Sequence, residues 1–88
     1  MPWYVYIIQC YDKTLYTGIT KNLERRLDAH NKGKASRYTK YRRPVRLLYS
    51  ERYSSRSEAL KREACIKGFS RAEKLSLISA KRSLDPQR

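Results

Sequence analysis

The chain has 88 residues and a formal net charge of +13, from 21 lysines and arginines against 8 aspartates and glutamates. That length is enough for one domain only, and none of its apolar runs approaches the ~20 residues that a membrane-spanning helix needs. Because a compact domain with this charge repels itself, the composition indicates a polyanionic partner such as nucleic acid. An acidic membrane surface is the other polyanion to consider, but no amphipathic anchor supports it, so we expect no membrane partner.

The first elements are two strands. Residues 3–10 and 14–18 are rich in β-branched and aromatic types, which predicts a β-hairpin. The first strand is apolar on both alternating faces, as is typical of a strand covered on both sides. The connection has no glycine, so we predict a longer loop or a bulge, which would place Tyr6 and Tyr16 on one face of the sheet.

A first helix is predicted from about Asn22 to Lys32, with Asn22 or Thr20 as its N-cap and Gly33 in the C′ position. A basic loop, 33–43, follows it. Residues 45–53 read as a third strand, and two capping boxes, 55–58 and 70–73, open a second and a third helix.

This order predicts an α+β fold with a small three-stranded antiparallel sheet flanked by helices, β-β-α-β-α-α. We expect a single domain over residues 1–82 and a flexible C-terminal tail over 83–88. Two cysteines without metal-site spacing are expected to be reduced, in a cytoplasmic protein.

Helical geometry separates ordinary charges from unusual ones in the first helix. Leu23, Leu27 and His30 share one stripe, and Arg26 lies beside them. We therefore predict that Arg26 and His30 lie against the sheet or at its edge. Arg25 points to the opposite side and is predicted to be a solvated surface charge.

The second helix carries Glu63 within its apolar stripe, whereas the Lys61-Arg62 pair falls toward solvent. A carboxylate on a packing face is costly unless it is paired or binds a metal. A salt bridge to a nearby basic residue is therefore the plain alternative for Glu63. A lone histidine is more often a partly exposed polar residue than a catalyst, and Tyr6 and Tyr16 taken singly read as core residues.

Taken together, these residues resemble the GIY-YIG nuclease domain. Tyr4-Val5-Tyr6 and Tyr16-Thr17-Gly18 correspond to its two hallmark segments, Arg26 and His30 complete a Tyr-Thr-Gly-x7-Arg-x3-His pattern, and Glu63 matches the metal-binding glutamate. The resemblance covers roughly residues 3–80, and it is strongest to the small stand-alone bacterial members.

The resemblance implies an endonuclease that hydrolyses phosphodiester bonds with one divalent cation, Mg²⁺ or Mn²⁺, on Glu63. Tyr6 and Tyr16 would position and deprotonate the attacking water, and Arg26 would contact the scissile phosphate. His30 would carry a proton or form a hydrogen bond with one of the tyrosines. DNA is favoured over RNA as the substrate, and the sequence shows no sign of a required protein partner.

The basic loop interleaves cations with tyrosines, which suits phosphate contacts and base or sugar stacking. The residues predicted to bind nucleic acid are Lys34, Arg37, Tyr38, Lys40, Arg42 and Arg43. A solvated surface loop is the alternative. Two other functions stay open: a nucleic-acid-binding module with little or no catalysis, and a basic structural protein of a ribosome or nucleoid, in which Arg26 and Glu63 would simply pair.

Overall fold

The computed structural model describes residues 2–83. The elements are β1 (Trp3–Gln9), β2 (Leu15–Thr20), α1 (Leu23–Asn31), α2 (Arg37–Lys40), β3 (Arg46–Tyr53), α3 (Arg56–Lys67) and α4 (Arg71–Ser83). The predicted α+β class and element order are confirmed, and α2 is an additional single turn inside the basic loop. Of the predicted tail, Ser83 ends α4 and 84–88 lie outside the described residues. Over residues 2–83, no helix combines the length and the apolar run that a bilayer span requires.

The sheet is antiparallel with strand order β2-β1-β3, so β1 is central and both of its faces are covered, as its composition predicted. Val5 and Ile7, both fully buried, pack on one face with Ala59 and Ile66 of α3. On the other face Tyr6 packs with Ile8, Cys10 and Val45, against Leu23 and Leu27 of α1. Burying one such aliphatic side chain contributes about 2 kcal/mol, so these two layers fix the sheet between the helices.

The β1–β2 connection is a five-residue loop, 10–14, because Gln9 pairs with Leu15. An odd loop length pairs Tyr6 with Gly18 and Ile8 with Tyr16, so the two tyrosines share one face. The prediction of a longer loop with both tyrosines on one side is confirmed. Lys13, at φ 73°, supplies the left-handed residue that this turn requires.

The helix ends follow from local chemistry. The Asn22 side chain caps α1 by accepting from the Arg25 amide, and Gly33, at φ 75°, follows the last turn as predicted. The Ser55 side chain caps α3 in the same way. These caps set where α1 and α3 begin on the sheet, and so where His30 and Glu63 lie.

One surface prediction is wrong. Arg62 of α3 is half-buried rather than solvated, and its guanidinium forms an ion pair with Glu51 of β3, with an Nε–Oε1 distance of 2.9 Å. The helical wheel misplaced Arg62 because a long side chain can lie back along the sheet and bury its aliphatic stem.

Candidate active site around Tyr6 and His30

Three rings meet on the α1 side of the sheet. The Tyr6 and Tyr16 rings lie edge-on to the His30 imidazole, with centroids 5.8 Å and 5.3 Å from it. Tyr6 is buried and Tyr16 is half-buried. Two strands and the last turn of α1 therefore bring three of the predicted site residues into direct contact.

His30 is only 1% exposed, so the alternative that it is a partly exposed surface residue is wrong. Its Nε2 lies 2.8 Å from the Tyr6 hydroxyl oxygen, and its Nδ1 lies 2.8 Å from the Thr39 hydroxyl oxygen. Both ring nitrogens thus have partners, as a buried imidazole requires.

Burial keeps this pair uncharged. Burial lowers the pKa of His30, and the positive charge of Arg26 lowers it further. Burial raises the pKa of Tyr6; the Tyr16 and Glu63 charges add to that rise, and the Arg26 charge opposes it. At neutral pH the site therefore contains a neutral imidazole and a neutral phenol.

Gly18 makes room for Tyr6. A Cβ atom at Gly18 would lie 2.5 Å from the Tyr6 hydroxyl oxygen and 2.7 Å from Cζ, well inside van der Waals contact. The phenol crosses the neighbouring strand at this point on its way to His30. The glycine of the Tyr-Thr-Gly segment is therefore needed for the position of Tyr6, a role that the sequence pattern did not reveal.

Arg26 is exposed and not packed against the sheet, and the strand residues it lies near, Trp3 and Thr20, fit the other predicted position, at the edge of the sheet. It lines an open groove of about 510 Å³. The groove is lined by Trp3, Thr20, Lys21, Asn22, Arg25, Arg26, Ala29, Lys34 and Ala35. Arg25 is exposed, as predicted, and it also lines this groove. Within residues 2–83, Arg26 forms no ion pair with an acidic side chain.

Glu63 is half-buried on α3, with a side chain that is 17% exposed. Its partner is Lys67, one turn further on, at an Nζ–Oε2 distance of 3.4 Å. The predicted alternative of a salt bridge is therefore met, but by an exposed lysine and not by Arg26. Residues 2–83 contain no cluster of three or more acidic, histidine or cysteine side chains that would enclose a metal.

Some residues of the basic loop contact other parts of the protein, and the others are exposed. Tyr38 stacks on Tyr16 at a ring-centroid distance of 5.8 Å, and the Arg42 guanidinium lies 4.0 Å from the Tyr38 centroid. Arg42 also pairs with Asp12. Arg43 donates to the carbonyl oxygens of Lys40 and Asn31, and so closes the loop on itself.

The other predicted cations of the loop are Lys34, Arg37 and Lys40, and all three are exposed. Tyr41 was not among the predicted binding residues, yet it is 78% exposed with the Lys40 ammonium 5.5 Å from its ring centroid. Exposed aromatic faces beside cations suit nucleic-acid contacts, so its placement between basic residues was the signal that the prediction missed.

Comparison with known proteins agrees with this geometry. The family described as "GIY-YIG catalytic domain" matches residues 2–76. The chain belongs to the GIY-YIG family. Membership places it in a nuclease-type family whose members act on nucleic acid and generally use divalent metal ions.

Within the GIY-YIG family the similar proteins are small bacterial ones. A UPF0213 protein of Syntrophus aciditrophicus is 62% identical over 76 residues, which cover 85% of this chain and 87% of that protein. UPF0213 protein SSP2268 of Staphylococcus saprophyticus is 55% identical, with coverage of 86% and 93%.

Two solution NMR structures share the GIY-YIG fold of this chain. UPF0213 protein BH0048 of Bacillus halodurans has a TM-score of 0.61 and 41% identity, and the match covers 92% of this chain and 86% of that one. Protein EF2693 of E. faecalis has a TM-score of 0.66 and 33% identity, with coverage of 97% and 91%.

Proposed function

We propose that this protein is a metal-dependent nuclease that hydrolyses phosphodiester bonds, preferably of DNA, at a site formed by Tyr6, Tyr16, Arg26, His30 and Glu63. The observation that carries the proposal is geometric: the buried Tyr6 hydroxyl contacts Nε2 of His30 at 2.8 Å, and the Tyr16 ring lies against the same imidazole. A pure binding surface for a polyanion has no use for the carboxylate of Glu63.

The exposed guanidinium of Arg26 would bind the scissile phosphate. Arginine is suited to this role because its planar donors match two phosphate oxygens at once. As the attacking oxygen adds to phosphorus, negative charge grows on the non-bridging oxygens, and a fixed positive charge stabilises that state. Because Arg26 has no acidic partner within residues 2–83, its charge is available to the substrate.

Tyr6 and His30 would move the proton of the attacking water. A phenol with a raised pKa is a poor base by itself, so Tyr6 must pass its own proton to Nε2 of His30 as it takes one from water. The water oxygen bonds to phosphorus, the bond to the leaving oxygen breaks, and that oxygen takes a proton from solvent. Tyr16, half-buried beside them, would orient the water.

Glu63 would hold the divalent cation. Mg²⁺ and Mn²⁺ accept a site with one carboxylate, because water and substrate phosphate oxygens complete their coordination, whereas zinc needs several protein ligands. The half-buried carboxylate of Glu63, with a single exposed partner, fits the first kind of site. When bound, the cation supplies positive charge to phosphate oxygens.

The test is cleavage of supercoiled plasmid, labelled branched DNA, single-stranded DNA and RNA with Mg²⁺ or Mn²⁺. Arg26→Ala and Glu63→Gln are each expected to lower the rate by about 100-fold or more. Arg71→Ala, which removes the same charge from an exposed position on α4, should leave the rate within about twofold.

Equal cleavage by all preparations would indicate a contaminating nuclease. If no substrate is cleaved but DNA is bound, the alternative of a binding module without catalysis is correct. A rise in melting temperature with Mg²⁺ or Mn²⁺ that Glu63→Gln abolishes would identify the metal ligand independently of activity.

A further inference from the structure

Thr39 is a buried polar residue with no assigned role. It lies in α2, inside the basic loop, and it is fully buried although its neighbours in the chain are exposed. Its hydroxyl oxygen lies 2.8 Å from Nδ1 of His30 and 3.3 Å from the carbonyl oxygen of Ser36. A fully buried hydroxyl in contact with the imidazole of a candidate site can determine which nitrogen of that ring carries the proton.

With a neutral His30 ring, the three contacts that link Tyr6, His30, Thr39 and Ser36 allow only one arrangement in which each contains a proton. A carbonyl oxygen only accepts, so Thr39 must donate its single proton to Ser36 and accept from the His30 Nδ1–H group. Nε2 then has a free lone pair, which accepts from the Tyr6 hydroxyl.

The opposite tautomer of His30 leaves one of these three hydrogen bonds without a proton. If Nε2 carried the proton, it would donate to the Tyr6 oxygen, and Thr39 would have to donate to Nδ1. The Thr39–Ser36 contact would then contain no proton. The Tyr6 hydroxyl would also need another acceptor, and residues 2–83 provide none. Buried polar groups without partners are disfavoured, which selects the first arrangement.

We propose that Thr39 is a positioning residue that holds His30 in the Nδ1–H tautomer, so that Nε2 is the atom that receives the Tyr6 proton. The catalytic consequence rests on the proposed nuclease function, whereas the tautomer itself does not. A threonine in a short helix commonly donates its hydroxyl proton to the carbonyl oxygen three residues earlier. In this way α2 fixes the donor and the acceptor in each of the three hydrogen bonds.

The same turn supports a second side of the site. Tyr38, the residue before Thr39, stacks on Tyr16, and Arg42 ties the end of the turn to Asp12 in the β1–β2 loop. The part of the basic loop that forms α2 therefore braces both the His30 and the Tyr16 side chains. This gives α2 a structural role at the site besides any contact with substrate.

The direct test is nitrogen-15 NMR of the imidazole ring. The chain has one histidine, so every ring signal belongs to His30. We expect the wild-type protein at neutral pH to show a protonated Nδ1 and an unprotonated Nε2. A protonated Nε2 with an unprotonated Nδ1 in the wild type would overturn the proposal, whatever the behaviour of the variants and whether or not the protein cleaves nucleic acid.

Two substitutions separate the hydroxyl from the shape of Thr39. Thr39→Val keeps the volume but removes the acceptor, so we expect an Nε2–H population to appear. Thr39→Ser keeps the hydroxyl and should retain the wild-type spectrum. An unchanged tautomer in a folded Thr39→Val protein would overturn the proposal. If Thr39→Val does not fold, the wild-type and Thr39→Ser spectra still decide it.

Cleavage kinetics test the consequence once a substrate is known. Thr39→Val should lower kcat about tenfold or more and leave KM within about twofold, because the substrate does not touch Thr39. Thr39→Ser should restore most of kcat. An unchanged kcat in a Thr39→Val protein with a shifted tautomer would show that the tautomer does not matter for the reaction.

Discussion

Two glutamates of this protein have side chains with the same exposure, 17%, and very different surroundings. Glu51 lies on β3 and Glu63 lies on α3. Exposure alone would assign them the same role. Their hydrogen-bond partners show that one carboxylate is saturated by the protein and the other is not.

The Glu51 carboxylate is saturated by three side chains. It accepts two bonds from the Arg62 guanidinium, with donor–acceptor distances of 2.9 Å and 3.0 Å, and one from each hydroxyl of Tyr49 and Tyr53. Burial alone would raise the pKa of Glu51, but these hydrogen bonds lower it overall. Burial and the hydrogen bond to Glu51 raise the pKa of Tyr49 to about 12. Such a carboxylate has no lone pair left for a ligand.

Among the residues that the structure describes, the one ion-pair partner of Glu63 is Lys67, a half-exposed side chain one helical turn further on. Pairs of this kind contribute at most a few tenths of a kcal/mol, and a competing cation displaces them readily. The comparison of Glu51 with Glu63 indicates that a half-buried carboxylate with few protein partners is the better candidate for binding a ligand. The contacts of Glu51 make it a stabilising residue of the fold, whereas Glu63 is the carboxylate for which we propose metal binding.

The same substitution, glutamate to glutamine, made at each of the two positions gives the largest expected effects. Glu63→Gln should reduce cleavage by about 100-fold or more and change the free energy of unfolding by less than about 0.5 kcal/mol. Glu51→Gln should do the reverse. It leaves the half-buried Arg62 without its counter-charge, at a cost of about 2 kcal/mol, while cleavage at low temperature stays within about twofold.

Denaturant unfolding and cleavage assays on the same preparations check this prediction. A loss of about 2 kcal/mol corresponds to a fall in melting temperature of about 10 °C for a domain of this size. If Glu51→Gln abolished cleavage without loss of stability, the two glutamates would have been assigned the wrong way round.

A smaller expected effect is on the pH dependence of stability, to which His30 and Glu51 contribute in different pH ranges. The pKa of His30 is lowered by burial and by Arg26, so its contribution to stability is complete above the ordinary value of about 6.5 and is lost as pH falls below it. The lowered pKa of Glu51 gives a contribution that is complete above about 4.3 and is lost only at lower pH.

Unfolding free energies measured from pH 7.5 to pH 3 check both windows. The decline between about pH 6.5 and 5, at most about 1.4 kcal/mol per pH unit, should be absent in His30→Asn and present in Glu51→Gln. His30 is the only histidine, so no other imidazole contributes to that window. A decline that persists unchanged in His30→Asn would mean that another group causes it and that folding does not lower the pKa of His30.

Patterns along the chain predicted most of the fold. Alternating apolar residues, capping boxes and Gly33 determine local structure, and local structure is what a single sequence encodes most directly. The single turn α2 was missed because four residues inside a basic loop carry no helical periodicity. Arg62 was misplaced because its burial depends on Glu51, which is eleven positions away in the chain and on another element.

The candidate site was predicted in part for the same reason. Spacing on α1 put His30 on the packing face, and the loop argument put Tyr6 and Tyr16 together. Thr39 could not be found, because its contact with His30 arises only when α2 folds back onto the end of α1. The need for glycine at position 18 was equally hidden, since it follows from the path of the Tyr6 ring across β2.

The smallest expected effect is at Lys67, and it bears most directly on the comparison of the two glutamates. Lys67→Ala removes the one ion-pair partner that Glu63 has within residues 2–83. If that pair were the purpose of Glu63, losing either member would have the same consequence. We expect Lys67→Ala to change the unfolding free energy by less than about 0.5 kcal/mol and to leave cleavage within about twofold. Tighter Mg²⁺ or Mn²⁺ binding, measured by the melting-temperature shift, would follow because a competing ammonium has been removed. A rate as low as that of Glu63→Gln would instead make Glu63 a structural partner like Glu51, and the metal would have to bind elsewhere.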